Sequence, residues 1–274
     1  MAGIFIAIAI VLIVSIFLLR PGKYSPEQLR LVYGVNHAHR GLHSKDKSVP
    51  ENSLAAFKAA AAAGYGVELD IQLSKDGEVV VFHDDTLDRV TGVHGRVDAY
   101  TFAELRTFSL EGTGETIPLL TEVFEVMGGH TPIIIELKTG PRKTELCEKG
   151  LLLMRAYQGA YCVESFDPRI VAWFRKNAPD ILRGQLSNEP KRFDDQPKLL
   201  AFALGHLFTN AIARPQFIAY GLGKKPFTVQ LAEGMGAMRV CWTARPENDT
   251  RLIEETNDAV IFEYYLPEKT YKTL

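Results

Sequence analysis

The sequence predicts an α/β fold, a (β/α)8 or TIM barrel, and three observations carry the prediction. Eight strand-like runs alternate with helical patterns, turn residues punctuate them, and a chain of 274 residues that is 46% hydrophobic and 23% charged can bury one large core. An open doubly wound sheet is the alternative. A net charge of −2 leaves no basic footprint for nucleic acid. Cys147, Cys162 and Cys241 are too widely spaced for a disulfide framework or a CxxC metal knuckle.

The chain opens with "MAGIFIAIAIVLIVSIFLL", uncharged from Met1 to Leu19. At 1.5 Å per residue it reaches about 28 Å, against a hydrocarbon core of about 30 Å. It reads as a transmembrane anchor over residues 1–22, because a signal peptide would carry a basic n-region and a small-residue cleavage site. Arg20, Lys23 and Arg30 all follow the segment, which by the positive-inside bias predicts a single-pass protein with the rest of the chain in the cytoplasm.

The barrel is expected over residues 23–274, with strands at 33–41, 66–72, 132–138, 160–166, 181–186, 216–221, 238–243 and 259–264. Between them, "SLAAFKAAAAAG" reads as a helix capped by Asn52 or Ser53 and stopped by Gly64. "TIPLLTEVFEVMGG" reads as another, from Thr116 to Gly128. Too few residues separate "ELDIQ" from "VVVFHD" for a parallel crossover, so these runs form an added β-hairpin arm after the second strand. A two-residue turn at Asp76-Gly77 would set Lys75 against Glu78 and Asp70 against His83.

Side chains alternate along a strand, so Glu68 and Asp70 share one face while Val67, Leu69 and Ile71 take the other. The run "PIIIELK" places Glu136 and Lys138 at the C-terminal end of its strand, where barrel enzymes keep their chemistry. Three carboxylates converging there repel one another unless a cation neutralises them. Oxygen donors without a nearby cysteine favour a hard divalent ion, Mg²⁺ or Ca²⁺. In "HAHRG" the guanidinium of Arg40, beside His39, offers fixed donors that match phosphate oxygens.

Taken together, HRG, PENS, ELD, the returning HD and IELK, in that order and near strand ends, resemble the glycerophosphodiester phosphodiesterase family from about residue 36 onward. The resemblance implies that His39 and His83 are the acid/base pair and that Arg40 and Lys138 contact phosphate. It further implies that Glu68, Asp70 and Glu136 hold the divalent metal, with Glu51 at or beside that centre. Trp242 falls where the family has an aromatic residue lining the substrate pocket. The implied reaction converts a glycerophosphodiester to glycerol 3-phosphate and an alcohol. A lysophospholipid is the alternative substrate, favoured by membrane attachment. Ser53 stands where threonine is commoner in the family.

The rival readings are a phosphoinositide-specific or D-like phospholipase and a non-catalytic barrel that binds a lipid or glycerol phosphate. His37 reads as a barrel-interior histidine, and His43, His94, His130 and His206 carry no partner motif. Residues 85–116 read as a small insertion beside the active site. "LLAFALGHLFTNAIA", residues 199–213, is too short to span a bilayer and either packs the barrel wall or lies on a membrane surface.

Overall fold

Alternating apolar and polar positions close the chain into a barrel with two distinct faces. The computed structural model describes residues 2–273; Met1 and Leu274, the outer ends of the expected anchor and barrel segments, lie outside the described residues. Nine strands form one sheet: β1 (Val35–His39), β2 (Gly66–Leu73), β3 (Val79–Val81), β4 (Ile133–Leu137), β5 (Tyr161–Ser165), β6 (Arg183–Ser187), β7 (Phe217–Gly221), β8 (Met238–Ala244) and β9 (Ala259–Phe262). The order is β1-β9-β8-β7-β6-β5-β4-β2, and a β1–β2 pairing closes it, so eight parallel strands make a complete barrel. Closure leaves no parallel edge strand open.

On β2, Val67, Leu69 and Ile71 point outward and pack with Phe57 and Ala60 of the helix Leu54–Ala63 and with Ile133, Ile135 and Leu137 of β4. The opposite face of the same strands turns Glu68, Asp70 and Glu136 into the barrel. Ile134, Cys162, Phe217, Val240 and Ile261 form a second cluster with Val32, against which Tyr24 and Leu29 pack. Helix ends follow local chemistry: the Ser53 hydroxyl accepts from Ala56 N–H, and Gly64 stops the helix with φ +78°, a conformation that costs glycine little.

Several expectations are corrected. β3 pairs antiparallel with β2, but Ile71 faces Val81 and Leu73 faces Val79, one residue out of the expected register. Ser74 accepts from Gly77 N–H and its own N–H reaches Glu78 O, so the loop holds three residues, Lys75 to Gly77, rather than two. Asp70 therefore sits opposite Phe82, whose N–H donates to Asp70 O at 3.0 Å. The helix expected from Thr116 begins at Leu120, because Pro118 and Leu119 are engaged with β3. The 199–213 run is two helices, Lys198–Gly205 and Asn210–Ala213, interrupted at Leu207, which is fully buried at φ +60°. Residues 85–116 fold over the outer face of β3, where Val80 and Phe82 pack with Leu87, Val90, Val97 and Leu105.

The expected transmembrane segment is also not supported. Among the described residues no helix is long and apolar enough to cross a membrane. The first helix, Ala2–Leu19, has 18 residues, about 27 Å of length, and ends before Pro21. Its last turn is docked on the barrel: Leu19 is buried among Leu207, Ile218 and Val229, and Arg214 lies over the Phe17 ring and donates to Phe17 O at 2.6 Å.

Candidate active site

Strand register assembles the site. Asp70 on β2 is paired with Glu136 on β4, and Glu136 with Glu164 on β5, so three carboxylates form a row across adjacent strands. On the other side of β2, Glu68 is paired with His39 of β1. All four acids are buried. Carboxylate oxygens of Glu68, Asp70 and Glu136 lie within 4.8 Å of one another, as the sequence predicts for a metal centre. Glu164 was not anticipated. It is an acid within an apolar strand run, at the level of Glu136, and its Oε2 is buried without a hydrogen-bond partner.

Burial dominates the electrostatics. It pushes Glu68 well above the usual carboxylate range, reinforced by Asp70 and Glu136. Burial likewise raises Glu164, reinforced by Glu136 and Asp70, and raises Glu136 despite the opposing Lys138 ammonium. Asp70 behaves oppositely: burial raises it, but Lys138, His83, Arg40 and the Asn52 hydrogen bond together hold it well below the usual range. Lys138 Nζ lies 2.9 Å from Glu136 Oε1 and 3.3 Å from Asp70 Oδ1. An acid cluster in which Glu68, Glu136 and Glu164 resist ionisation, the last with an orphaned oxygen, fits a hard divalent cation, which would favour the carboxylate forms and take oxygen donors.

The two loop motifs converge on Asp70. Arg40 sits at φ +54° and Asn52 at φ +54°, and Asn52 N–H donates to Arg40 O at 2.9 Å. Left-handed backbone is uncommon for arginine and more accessible to asparagine, so this strain is held by its contacts. Asn52 Nδ2 donates to Asp70 Oδ2 at 2.9 Å, Arg40 Nε lies 3.4 Å from the same oxygen, and Arg40 N–H donates to Glu68 Oε2 at 3.1 Å. From the sequence Asn52 reads only as a possible helix cap.

Glu51 does not join the carboxylate cluster. It accepts from Arg40 Nη1 at 2.7 Å and from Arg89 Nη2 at 2.6 Å. Arg89 Nε in turn donates to Asp84 Oδ2 at 2.6 Å, and Asp84 Oδ1 is 2.5 Å from His83 Nδ1. An alternating chain of charges thus runs Arg40, Glu51, Arg89, Asp84, His83, tying the first loop to the end of the hairpin. Its central residue comes from the 85–116 insertion.

His39 has its own support. Nδ1 lies 2.9 Å from Glu263 Oε2, and Nε2 lies 3.9 Å from Glu68 Oε2. Because a carboxylate only accepts, Nδ1 carries the hydrogen, which leaves Nε2 with the lone pair on the side of the acid cluster. Glu263 also contacts Arg245 and lies 3.5 Å from His43 Nε2. Burial, aided by the neighbouring Arg40 charge, lowers His39 to about 4. His37 is fully buried inside the barrel with both ring nitrogens unpartnered, and burial lowers it to about 4 as well. Trp242 is at the C-terminal half of β8, with Nε1–H donating to Ala219 O at 3.0 Å and its ring edge-on to Phe166 at 5.6 Å.

Comparison with known proteins agrees with this geometry. A glycerophosphodiester phosphodiesterase of Caldanaerobacter subterraneus subsp. tengcongensis is 46% identical over 111 residues, which cover 38% of this chain and 44% of that protein. A lysophospholipase D of Rattus norvegicus is 37% identical over 134 residues, covering 44% of this chain and 41% of that protein. The matches thus span under half the length of these curated relatives. An Oleispira antarctica phosphodiesterase, solved in complex with the product sn-glycerol-3-phosphate, superposes with a TM-score of 0.68 at 26% identity, covering 84% of this chain and 93% of that one. The model of the glycerophosphoryl diester phosphodiesterase family matches residues 39–265, and with His39, the ELD acids, His83 and the IELK strand gathered at one barrel mouth, the chain belongs to that family.

Proposed function

We propose that the protein hydrolyses glycerophosphodiesters to glycerol 3-phosphate and an alcohol, using His39 and His83 as the acid/base pair beside a divalent cation. The observation that carries the reading is the carboxylate row Asp70, Glu136 and Glu164, with Glu68 beside it, flanked by two histidines that each have a carboxylate partner. Glu68, Asp70 and Glu136 would hold Mg²⁺ or Ca²⁺, with Glu164 adjacent. Bound there, the cation would supply charge neutralisation for the phosphoryl oxygens. His39, neutral at pH 7 and fixed by Glu263, accepts a proton at Nε2. His83, held by Asp84, is the donor to the leaving oxygen. Arg40 and Lys138 add positive charge for the phosphoryl group.

Membrane attachment is part of this reading. The helix Ala2–Leu19 is uncharged and leaves Ile4, Phe5, Ile6, Ile13 and Phe17 more than half exposed. Such a surface is costly in water and gains by burial in a bilayer. A lysophospholipid is the second substrate reading, favoured by this helix and by the likeness to a rat lysophospholipase D.

Product analysis tests the function. Full-length protein with Mg²⁺ or Ca²⁺ is offered glycerophosphocholine, glycerophosphoethanolamine and a lysophospholipid. Release of glycerol 3-phosphate from the soluble diesters supports the first reading. Cleavage of the lysophospholipid alone supports the second, and no cleavage of any of them rejects both.

A further inference from the structure

A cleft of about 590 Å³ begins at Thr139, the residue after Lys138, and runs outward along Phe166 and Phe193 to Leu204, Leu200 and Ile212. We propose that it is the subsite for the acyl chain of a monoacyl glycerophosphodiester. The inference rests on the phosphodiesterase reading for the polar end of that substrate.

Four features point to a hydrocarbon chain as the occupant. The inner end adjoins the catalytic groups: Thr139 follows the lysine that contacts Glu136 and Asp70, and Phe166 packs edge-on against both Trp242 and Phe193, at 5.6 and 6.1 Å. The charges along the wall are partly consumed, since Asp167 accepts from Arg169 Nη2 at 2.7 Å and from Thr139 Oγ1 at 2.8 Å, while Arg192 and Asp195 carry the others. The remaining wall is mostly apolar carbon, and Leu200 and Ile212 stay 41% and 50% exposed. The outer end also meets the apolar helix: Ile212 belongs to Asn210–Ala213, and Asn210 Nδ2 donates to Leu19 O of Ala2–Leu19 at 3.3 Å.

The cleft therefore reaches from beside the barrel mouth to a helix that packs against Ala2–Leu19. A soluble glycerol diester ends within a few bonds of its phosphate and has no group to fill this cleft. An acyl chain has one, and its methylenes gain by leaving water. Leu199 and Phe202, 82% and 47% exposed on the outer side of Lys198–Gly205, together with Arg192 and Lys198, give the cleft rim the apolar and basic character that suits a lipid surface.

The test uses full-length protein and a lysophosphatidylcholine carrying a diazirine at the end of its chain, kept below its micelle concentration. After irradiation, labelled peptides are located by mass spectrometry. Label within residues 192–212, competed by unlabelled lysophosphatidylcholine, is expected; label confined to Ala2–Leu19, or unaffected by competition, overturns the proposal. In parallel, Leu200→Asp and Ile212→Asp should lower the kcat/KM ratio of lysophosphatidylcholine to glycerophosphocholine at least tenfold, with folding checked by circular dichroism. An unchanged ratio also overturns it. If neither diester is cleaved, the phosphodiesterase reading fails, while the labelling pattern still decides whether the cleft takes the chain.

Discussion

His39 and Glu263 stand 224 residues apart in the chain, yet His39 Nδ1 and Glu263 Oε2 are 2.9 Å apart. The contact forms because β1 and β9 are neighbours at the closure of the barrel. It fixes the tautomer of the ring, so the unprotonated nitrogen faces the acid cluster. Glu263→Gln keeps the shape but allows the ring to flip its tautomer. We expect kcat to fall about 10²-fold with KM little changed, and Glu263→Asp to recover part of the loss. Steady-state kinetics with a thermal melt check this; a loss of stability that accounts for the whole effect would make Glu263 merely structural.

Arg89 links Asp84 to Glu51 and thereby holds His83 against the first loop. Arg89→Ala should lower kcat about tenfold through misplacement of His83. Its half-exposed ion pairs contribute little to folding, so stability should change by no more than about 1 kcal/mol. Arg89→Lys, which cannot bridge both carboxylates with a planar fork, should behave like the alanine variant. Full activity in Arg89→Ala would show that His83 needs no such support.

Glu164 should matter for the metal even though it lies outside the cluster read from the sequence. Glu164→Gln removes a buried acid beside Glu136 and should weaken Mg²⁺ or Ca²⁺ binding about 10- to 100-fold in calorimetry. Unaltered affinity would mean that its carboxyl group is neutral in the holoprotein and serves only packing.

His37 gives a pH signature of its own. Its folded value of about 4 lies below the ordinary 6.5, so in that window the unfolded chain binds a proton that the folded chain refuses. The stability contributed by the neutral ring is complete above 6.5 and is lost as pH falls towards about 4, at about 1.4 kcal/mol per pH unit. His39 acts in the same direction and the raised Glu68, Glu136 and Glu164 in the opposite one, all of them in both proteins, so the wild-type slope is expected to exceed that of His37→Leu by the His37 contribution alone. The leucine variant should also retain most of kcat, since neither ring nitrogen of His37 is hydrogen-bonded to an acid of the cluster. Urea denaturation at pH 4.5, 5.5 and 6.5 measures the slope, and identical slopes in both proteins would refute the assignment.

The parts of the site that follow strand periodicity were legible in the sequence. Glu68 and Asp70 two apart, Glu136 at the end of an isoleucine run, and His39 at the end of β1 all face inward because side chains alternate. The hairpin register was missed by one residue because Ser74 and Gly77 close a longer loop than the Asp-Gly pair suggests. Glu164 was readable in principle as an acid inside "CVESF", but only β4–β5 register shows that it meets Glu136. Glu263 and Arg89 lie in segments with no motif, and their roles come from barrel closure and from the folding of the insertion over β3. The terminal apolar run was legible as a helix, but its docking through Leu19 and Arg214 depends on side chains about 200 residues away.

The central claim is that a carboxylate-bound divalent cation and the two histidines cleave a glycerophosphodiester. The most direct measurement is glycerol 3-phosphate release from glycerophosphocholine by the full-length protein, first stripped with a chelator and then resupplied with Mg²⁺ or Ca²⁺, alongside Asp70→Asn. We predict no release after stripping, recovery on adding one of the two ions, and none from Asp70→Asn under either condition. Release that persists in the chelator, or at full rate in Asp70→Asn, would contradict the account.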